Sequence, residues 1–378
     1  MGEITADLQG VIFIVVVNAG AAALWLSWLG VKERSFPRFR SCRWFYPYLL
    51  IGALSGGAAA VIELSPLSVP YDSMTGVTGV LGYNILFIAL IEEGVKFAAF
   101  RLVSKWRDPL REPFDAAVDG ATVGLGFAVM ENAVYGLFGD PSLTLIRSFI
   151  TIQGHMFFAS IPALCHGMTR LDRNLQDRRG RSGLTAFGFA VAILFHGLRN
   201  SFLVFGMGLG LTLILDLTIL ALLATLVNRV GEASPYRTFP WREWRRALLA
   251  IKRGLDADPD NPNLLFRRGL YCLAAGRWVD ACVAFDGVVE TGRRRNLAKS
   301  YYAAALFACG EKESSEDLFG EHWPGLSLRE RRQFARSLMG AMPSRAILRA
   351  EIRDLTRKCE WLPGRKPAAP GRAGARIS

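Results

Sequence analysis

The residues of this 378-residue chain best suited to chemistry are few, and they sit where charge is costly. Glu92-Glu93-Gly94-Val95-Lys96 lies in one apolar stretch, Glu131-Asn132 in the next, Gly154-His155 in a third and His196-Gly197-Leu198-Arg199-Asn200 in a fourth. An ionisable side chain at the centre of a membrane helix costs roughly 3 kcal/mol on insertion scales, so each one needs a partner or a purpose. Several carboxylates with two imidazoles are the parts needed to activate a water and to protonate a leaving amine, as peptide hydrolysis requires. A metal version is equally constructible: His155, His196 and one glutamate would hold a zinc ion with an open position, and a second glutamate would act as base. The chain has no His-Glu-x-x-His, no Gly-x-Ser-x-Gly and no Cys-x-x-Cys. The cofactor therefore stays open between none and a divalent metal such as zinc.

Helical spacing sets how these groups can meet. Lys96 follows Glu92 by four residues and Glu93 by three, so its amine can reach back to either carboxylate. Adjacent helical residues diverge by about 100°, so one glutamate is expected to face the cluster while the other pairs with Lys96 or a neighbouring helix. Asn200, four residues after His196, shares its face and is expected to support the same reacting group. Gly120, Gly124 and Gly126 permit the close helix approach that draws the side chains together. Asp115, Asp119, Arg147 and His166 lie nearer the ends of the apolar stretches, where solvation or snorkelling accounts for them.

The elements that carry these residues read as membrane helices, in an all-α protein. Val11 to Val31, Tyr48 to Leu64, Gly79 to Val103, Ala116 to Phe138, Leu143 to Met168, Leu184 to Phe205 and Leu209 to Val227 each approach the roughly 20 residues that cross a bilayer, giving about seven spans. Glu92, Glu93, Glu131, His155 and His196 fall near the middle of theirs. Lys32, Arg34, Arg38, Arg40 and Arg43 follow the first span, Lys105, Arg107 and Arg111 the third, and Arg170, Arg173, Arg178, Arg179 and Arg181 the fifth, while the intervening loops hold no Lys or Arg. That alternation predicts a multi-pass protein of the cell membrane with its N-terminus outside and its C-terminal region cytoplasmic. The net charge of +12 then suits anionic lipid rather than nucleic acid, for which no motif is present. The six cysteines show neither a disulfide framework nor a zinc spacing.

The ordered motifs Glu-Glu-x-x-Lys, Phe-x-x-x-Glu-Asn, Gly-His and His-x-x-x-Asn resemble those of the PrsW family of intramembrane proteases. The stretch Asp119-Gly120 to Glu131-Asn132, with Gly-Leu-Gly-Phe inside it, is similar to that family throughout. The resemblance covers roughly residues 5 to 230. It implies a helical membrane core distantly similar to the CAAX-processing and bacteriocin-immunity protease group. By position it implies that Glu92 and Glu93 are the essential acids, that Glu131, His155 and His196 complete the site, and that Lys96 and Asn200 support it. The implied substrate is a membrane-anchored protein, such as a single-pass anti-sigma factor in stress signalling.

After the membrane region, residues 1–230, the pattern changes to amphipathic helices. Gly276 and Phe285 recur as Gly310 and Phe319, the 34-residue period of tetratricopeptide repeats, so residues 240–322 read as two such repeats able to bind a partner protein. Residues 323–363 read as charged helix and 364–378 as a disordered basic tail. Two rival functions remain at this point. A proton-coupled transporter also uses Glu, His and Lys at the midplane, although it would usually show repeat symmetry among its spans. A scaffold anchored by its membrane part would leave four costly polar sites without a reason.

Overall fold

A computed structural model describes residues 8–33, 45–63, 76–106, 112–139, 141–171, 178–205, 208–290, 295–341, 350–354 and 356. It is all-α, with no strand among the described residues, and divides into two compact units, Met1–Ser234 and Pro235–Ser378. The predicted tail at 364–378 lies outside the described residues.

The first unit contains α1 (Leu8–Glu33), α2 (Phe45–Glu63), α3 (Gly76–Tyr83), a π-helical segment (Asn84–Ala89) continuing into α4 (Leu90–Trp106), α5 (Pro113–Phe138), α6 (Pro141–Ile150), α7 (Ile152–Leu171), α8 (Arg178–Val204) and α9 (Gly208–Ala233). Among the described residues five stretches are long and apolar enough to cross a membrane: Leu8–Val31, α2, α5, Ser182–Val204 and Ile214–Ala233. The other two expected spans coincide with elements of a different kind. One is the α3–π–α4 run, which carries Glu92, Glu93 and Lys96, and the other is broken at Thr151 into α6 and α7. At that break Thr151 is a turn whose amide and hydroxyl both donate to the Arg147 carbonyl, at 2.8 Å each.

α5 is the central element, packed against α2 on one side and α7 on the other. Glycine makes both approaches close. A Cβ on Gly124 would stand 2.2 Å from the His155 carbonyl oxygen, and one on Gly126 would stand 2.0 Å from that of Leu49. Gly120 meets α7 in the same way, so all three glycines sit at helix contacts as their spacing suggests. Tyr48, Phe100, Val103, Ala116, Val123 and Ala163 knit α2, α4, α5 and α7 into a buried core. That core fixes the helices whose polar residues make the site.

The second unit contains α10 (Trp244–Ala257), α11 (Pro262–Ala275), α12 (Trp278–Glu290), α13 (Arg295–Cys309), α14 (Lys312–His322) and α15 (Leu328–Ala341). Asn261 caps α11, its side-chain oxygen accepting from the amides of Asn263 and Leu264 at 3.1 and 3.2 Å. Gly276, at φ 73°, and Gly310, at φ 97°, take the left-handed conformation that ends α11 and α13, which only glycine adopts without strain. α10 to α14 pack each on the next, and α15 packs on α11 and α13, around Phe266, Phe285, Tyr301, Phe319 and Phe334.

Candidate active site

Four helices of the first unit bring the expected residues to one buried point. From α4, Glu92, Glu93 and Lys96 are 5%, 0% and 1% exposed, so both glutamates face inward and the expected division between them does not occur. Lys96 draws them together: its Nζ donates to Glu92 Oε2 at 3.1 Å and Glu93 Oε1 at 2.8 Å, and lies 2.9 Å from His155 Nδ1 and 3.9 Å from the Phe127 ring centroid. An ammonium has three donors and no acceptor, so the two carboxylates and the imidazole use its full capacity.

The two histidines, on α7 and α8, meet edge to face with centroids 5.3 Å apart. His196 is held by Glu93, whose Oε1 lies 2.8 Å from its Nδ1, and by the stacked Phe158 ring at 5.0 Å. Its Nε2 is 3.7 Å from Glu92 Oε2. His155 stands symmetrically, with Nδ1 3.8 Å from Glu92 Oε2 and Nε2 2.8 Å from Glu131 Oε2 on α5. Each imidazole thus turns one nitrogen toward Glu92 and the other toward a second carboxylate.

Three residues outside the expected set belong to this arrangement. Arg147 is no snorkelling residue: its guanidinium pairs with Glu131 Oε1 at 2.7 Å and its Nε donates to Asn132 Oδ1 at 3.0 Å. Thr151 Oγ1 donates to the same Asn132 oxygen at 3.2 Å, so the break after α6 is tied to α5 beside the site. Arg199, three residues after His196, is buried against Asp216 of α9 at 2.7 Å and donates to the Ile150 carbonyl at 3.3 Å. The signal for that pair was present, since Asp216 interrupts an apolar run and Arg199 falls within the His196 motif.

Other expectations are corrected by burial. Asp119 is 1% exposed and His166 8%, the latter with its ring nitrogens within 3.0 and 3.2 Å of Arg101, so neither reaches solvent as expected. Asp115 is half-buried. Asn200 is half-buried one turn from His196, and among the described residues no hydrogen bond joins it to the cluster.

The donor set fits a metal ion. Glu92, His155 and His196 each offer a ligand atom, all within 4.8 Å of one another, and two imidazoles with one carboxylate are a three-ligand catalytic set. Backing each ligand histidine with a carboxylate on its far nitrogen is the usual outer-shell arrangement. The Lys96 ammonium holds two of these atoms, Glu92 Oε2 and His155 Nδ1, so an ion there would take over its contacts with them. Glu93 Oε2 is buried without a hydrogen-bond partner.

The sequence model of the PrsW family, described as intramembrane metalloproteases, matches residues 40–227. Residues 40–227 belong to the PrsW family. Over 85 residues it is 32% identical to a protein named Protease PrsW from Geobacillus kaustophilus, a match covering 22% of this chain and 38% of that relative. Over 153 residues it is 24% identical to Protease PrsW from Oceanobacillus iheyensis, covering 40% of this chain and 69% of the relative. No solved structure matches. PrsW membership implies a peptide hydrolase acting within the membrane, in a multi-pass membrane protein. The transporter reading of the same residues finds no support in the family or in these relatives.

Proposed function

We propose that the chain is an intramembrane endopeptidase that cuts membrane-anchored proteins at the cluster of Glu92, Glu93, Glu131, His155 and His196. The observation that carries this reading is the convergence of α4, α7 and α8 on Glu92 Oε2, with both histidines within 3.8 Å of it and Glu131 of α5 on the far nitrogen of His155. Glu93 is the base. Its Oε1 is taken by His196 and Lys96, and its buried Oε2 accepts the proton of the attacking water and returns it to the departing amine. Glu131 and Glu93 keep the hydrogen of each imidazole on the nitrogen away from Glu92, so the lone pairs of His155 Nδ1 and His196 Nε2 point to the centre. A divalent ion held by Glu92, His155 and His196, in exchange for the Lys96 contacts at Glu92 Oε2 and His155 Nδ1, would polarise the scissile carbonyl. Lys96 offsets part of the charge of the two adjacent carboxylates, and Asn200 has no chemical step in this scheme.

The substrate class that suits a site between membrane helices is a protein with a single membrane segment, of which an anti-sigma factor is one form. Alternating loop charges support an external N-terminus and a cytoplasmic second unit, although most of those loop residues lie outside the described ones. Left-handed glycines 34 residues apart, at Gly276 and Gly310, support a tetratricopeptide-like reading of the second unit, with a partner protein as its ligand. The domain limits 1–230, 240–322 and 323–363 are part of this proposal.

The test is incubation of the purified chain in proteoliposomes with a panel of single-pass membrane proteins, followed by mass analysis of fragments. Cleavage within or beside the membrane segment, lost in Glu93→Gln, supports the reading; no cleavage of any panel member by the wild type, or equal cleavage by Glu93→Gln, contradicts it.

A further inference from the structure

The first helix of the second unit presents a face that no described residue of its unit covers. α10 buries Ala247, Ala250 and Ile251, its contact side with α11. On the opposite side Arg245, Arg246, Leu249, Lys252 and Arg253 are exposed, and all fall within about 60° of Leu249 at 100° per residue. Leu249 itself is 55% exposed at the centre of this basic stripe. Opposing charge is sparse: Glu243 pairs with Arg246 at 2.9 Å, and Asp256 lies on the same face at the far end. Arg242, just before the helix, is exposed as well.

The chain confines this stripe to the neighbourhood of a bilayer. The last membrane-crossing stretch ends at Ala233 and the helical segment resumes at Trp241. The seven residues between them reach at most about 25 Å when fully extended. A helix tethered so closely, with four cations around one apolar side chain, has the chemistry of an interfacial element.

We propose that the α10 face of Arg245, Arg246, Leu249, Lys252 and Arg253 binds the anionic headgroups of the bilayer that holds the first unit. The arginines and lysine engage phosphate oxygens, and Leu249 enters the acyl boundary. Each basic residue near an anionic surface strengthens the attraction roughly fivefold, and salt screens it. This surface is independent of the protease reading and stands or falls without it.

The experiment is hydrogen exchange of the full chain in nanodiscs of phosphatidylcholine alone or of phosphatidylcholine with one quarter phosphatidylglycerol. Amides of 244–257 are expected to exchange at least about fivefold more slowly in the anionic discs. The difference should vanish in 1 M salt and in the variant Arg245→Gln, Arg246→Gln, Lys252→Gln, Arg253→Gln. Unchanged exchange of α11–α13 shows that this variant is folded; if those helices loosen, the pair Lys252→Gln, Arg253→Gln replaces it and is expected to lose part of the protection. Equal exchange in the two lipids overturns the proposal. So does protection that survives salt or the substitutions, which points to a protein contact, and so does protection in neutral discs from added inorganic phosphate, which points to a free anion.

Discussion

Lys96 Nζ lies 2.9 Å from His155 Nδ1, and as an ammonium it can only donate, so the histidine carries its hydrogen on Nε2, facing Glu131. One lysine thereby offsets part of the charge of the adjacent carboxylates and sets a histidine tautomer. Removing it leaves buried charge uncompensated. Lys96→Met is expected to destabilise the membrane unit by roughly 3 to 5 kcal/mol, and adding Glu93→Gln should restore part of that loss because it removes a stranded charge. Thermal unfolding in detergent checks both. A single variant as stable as wild type would show that the carboxylates find another counter-charge.

Arg147 should act through Glu131. Its guanidinium holds one carboxylate oxygen at 2.7 Å while the other lies 2.8 Å from His155. Arg147→Gln is expected to lower proteolysis roughly 10- to 100-fold, the range seen when outer-shell partners are removed, with Arg147→Lys restoring part of it. The rate constant at saturating substrate is the informative quantity. A variant that raises only KM would place Arg147 in substrate binding.

Packing around α5 makes a sharper contrast. Gly124→Val would drive a side chain into the His155 backbone, whose oxygen stands 2.2 Å from the Cβ position, whereas the Cβ position at Gly57 has nothing within 4 Å. We expect Gly124→Val to cost about 1 to 3 kcal/mol and to displace His155, with Gly57→Ala close to neutral. Thermal midpoints measured side by side decide it, and equal midpoints would contradict the close approach of α5 and α7.

In the second unit the thiols of Cys282 and Cys309 are 4.0 Å apart. Burial, and then the neighbouring Cys309, push the Cys282 thiol up to about 12, while Cys309 is exposed. The raised value keeps Cys282 protonated and unreactive until the pH nears 12. Iodoacetamide at pH 8 should therefore modify Cys309 well before Cys282, as read by peptide mass. Equal rates would mean that α12 and α13 open readily.

The site was legible in the sequence because ionisable residues at one depth in several apolar helices are too costly to be incidental, and Glu92, Glu93, Glu131, His155 and His196 do meet. Arg147 was not legible, because its role depends on the break at Thr151. No proline or glycine occupies that position, while Pro162 sits inside α7 without ending it. The π-helical segment at Asn84–Ala89 likewise has no local composition to announce it; it is fitted to α8, where a Cβ on Gly197 would stand 2.5 Å from Ile85. Both features come from tertiary packing, which overrides local preference. Asp216 shows the opposite case, a signal present in the sequence whose partner, Arg199, could be found only in the fold.

The most direct test of one site shared by four helices is made in cells carrying a tagged single-pass substrate with either the wild-type chain or its Glu92→Ala, Glu93→Ala, Glu131→Ala, His155→Ala and His196→Ala variants at matched membrane levels. The account predicts a membrane-released fragment with the wild type and a loss of roughly 100-fold or more in the Glu93 variant, with strong losses in the other four. A fragment produced equally by wild type and the Glu93 and His196 variants would show that these residues hold the helices together and that catalysis lies elsewhere.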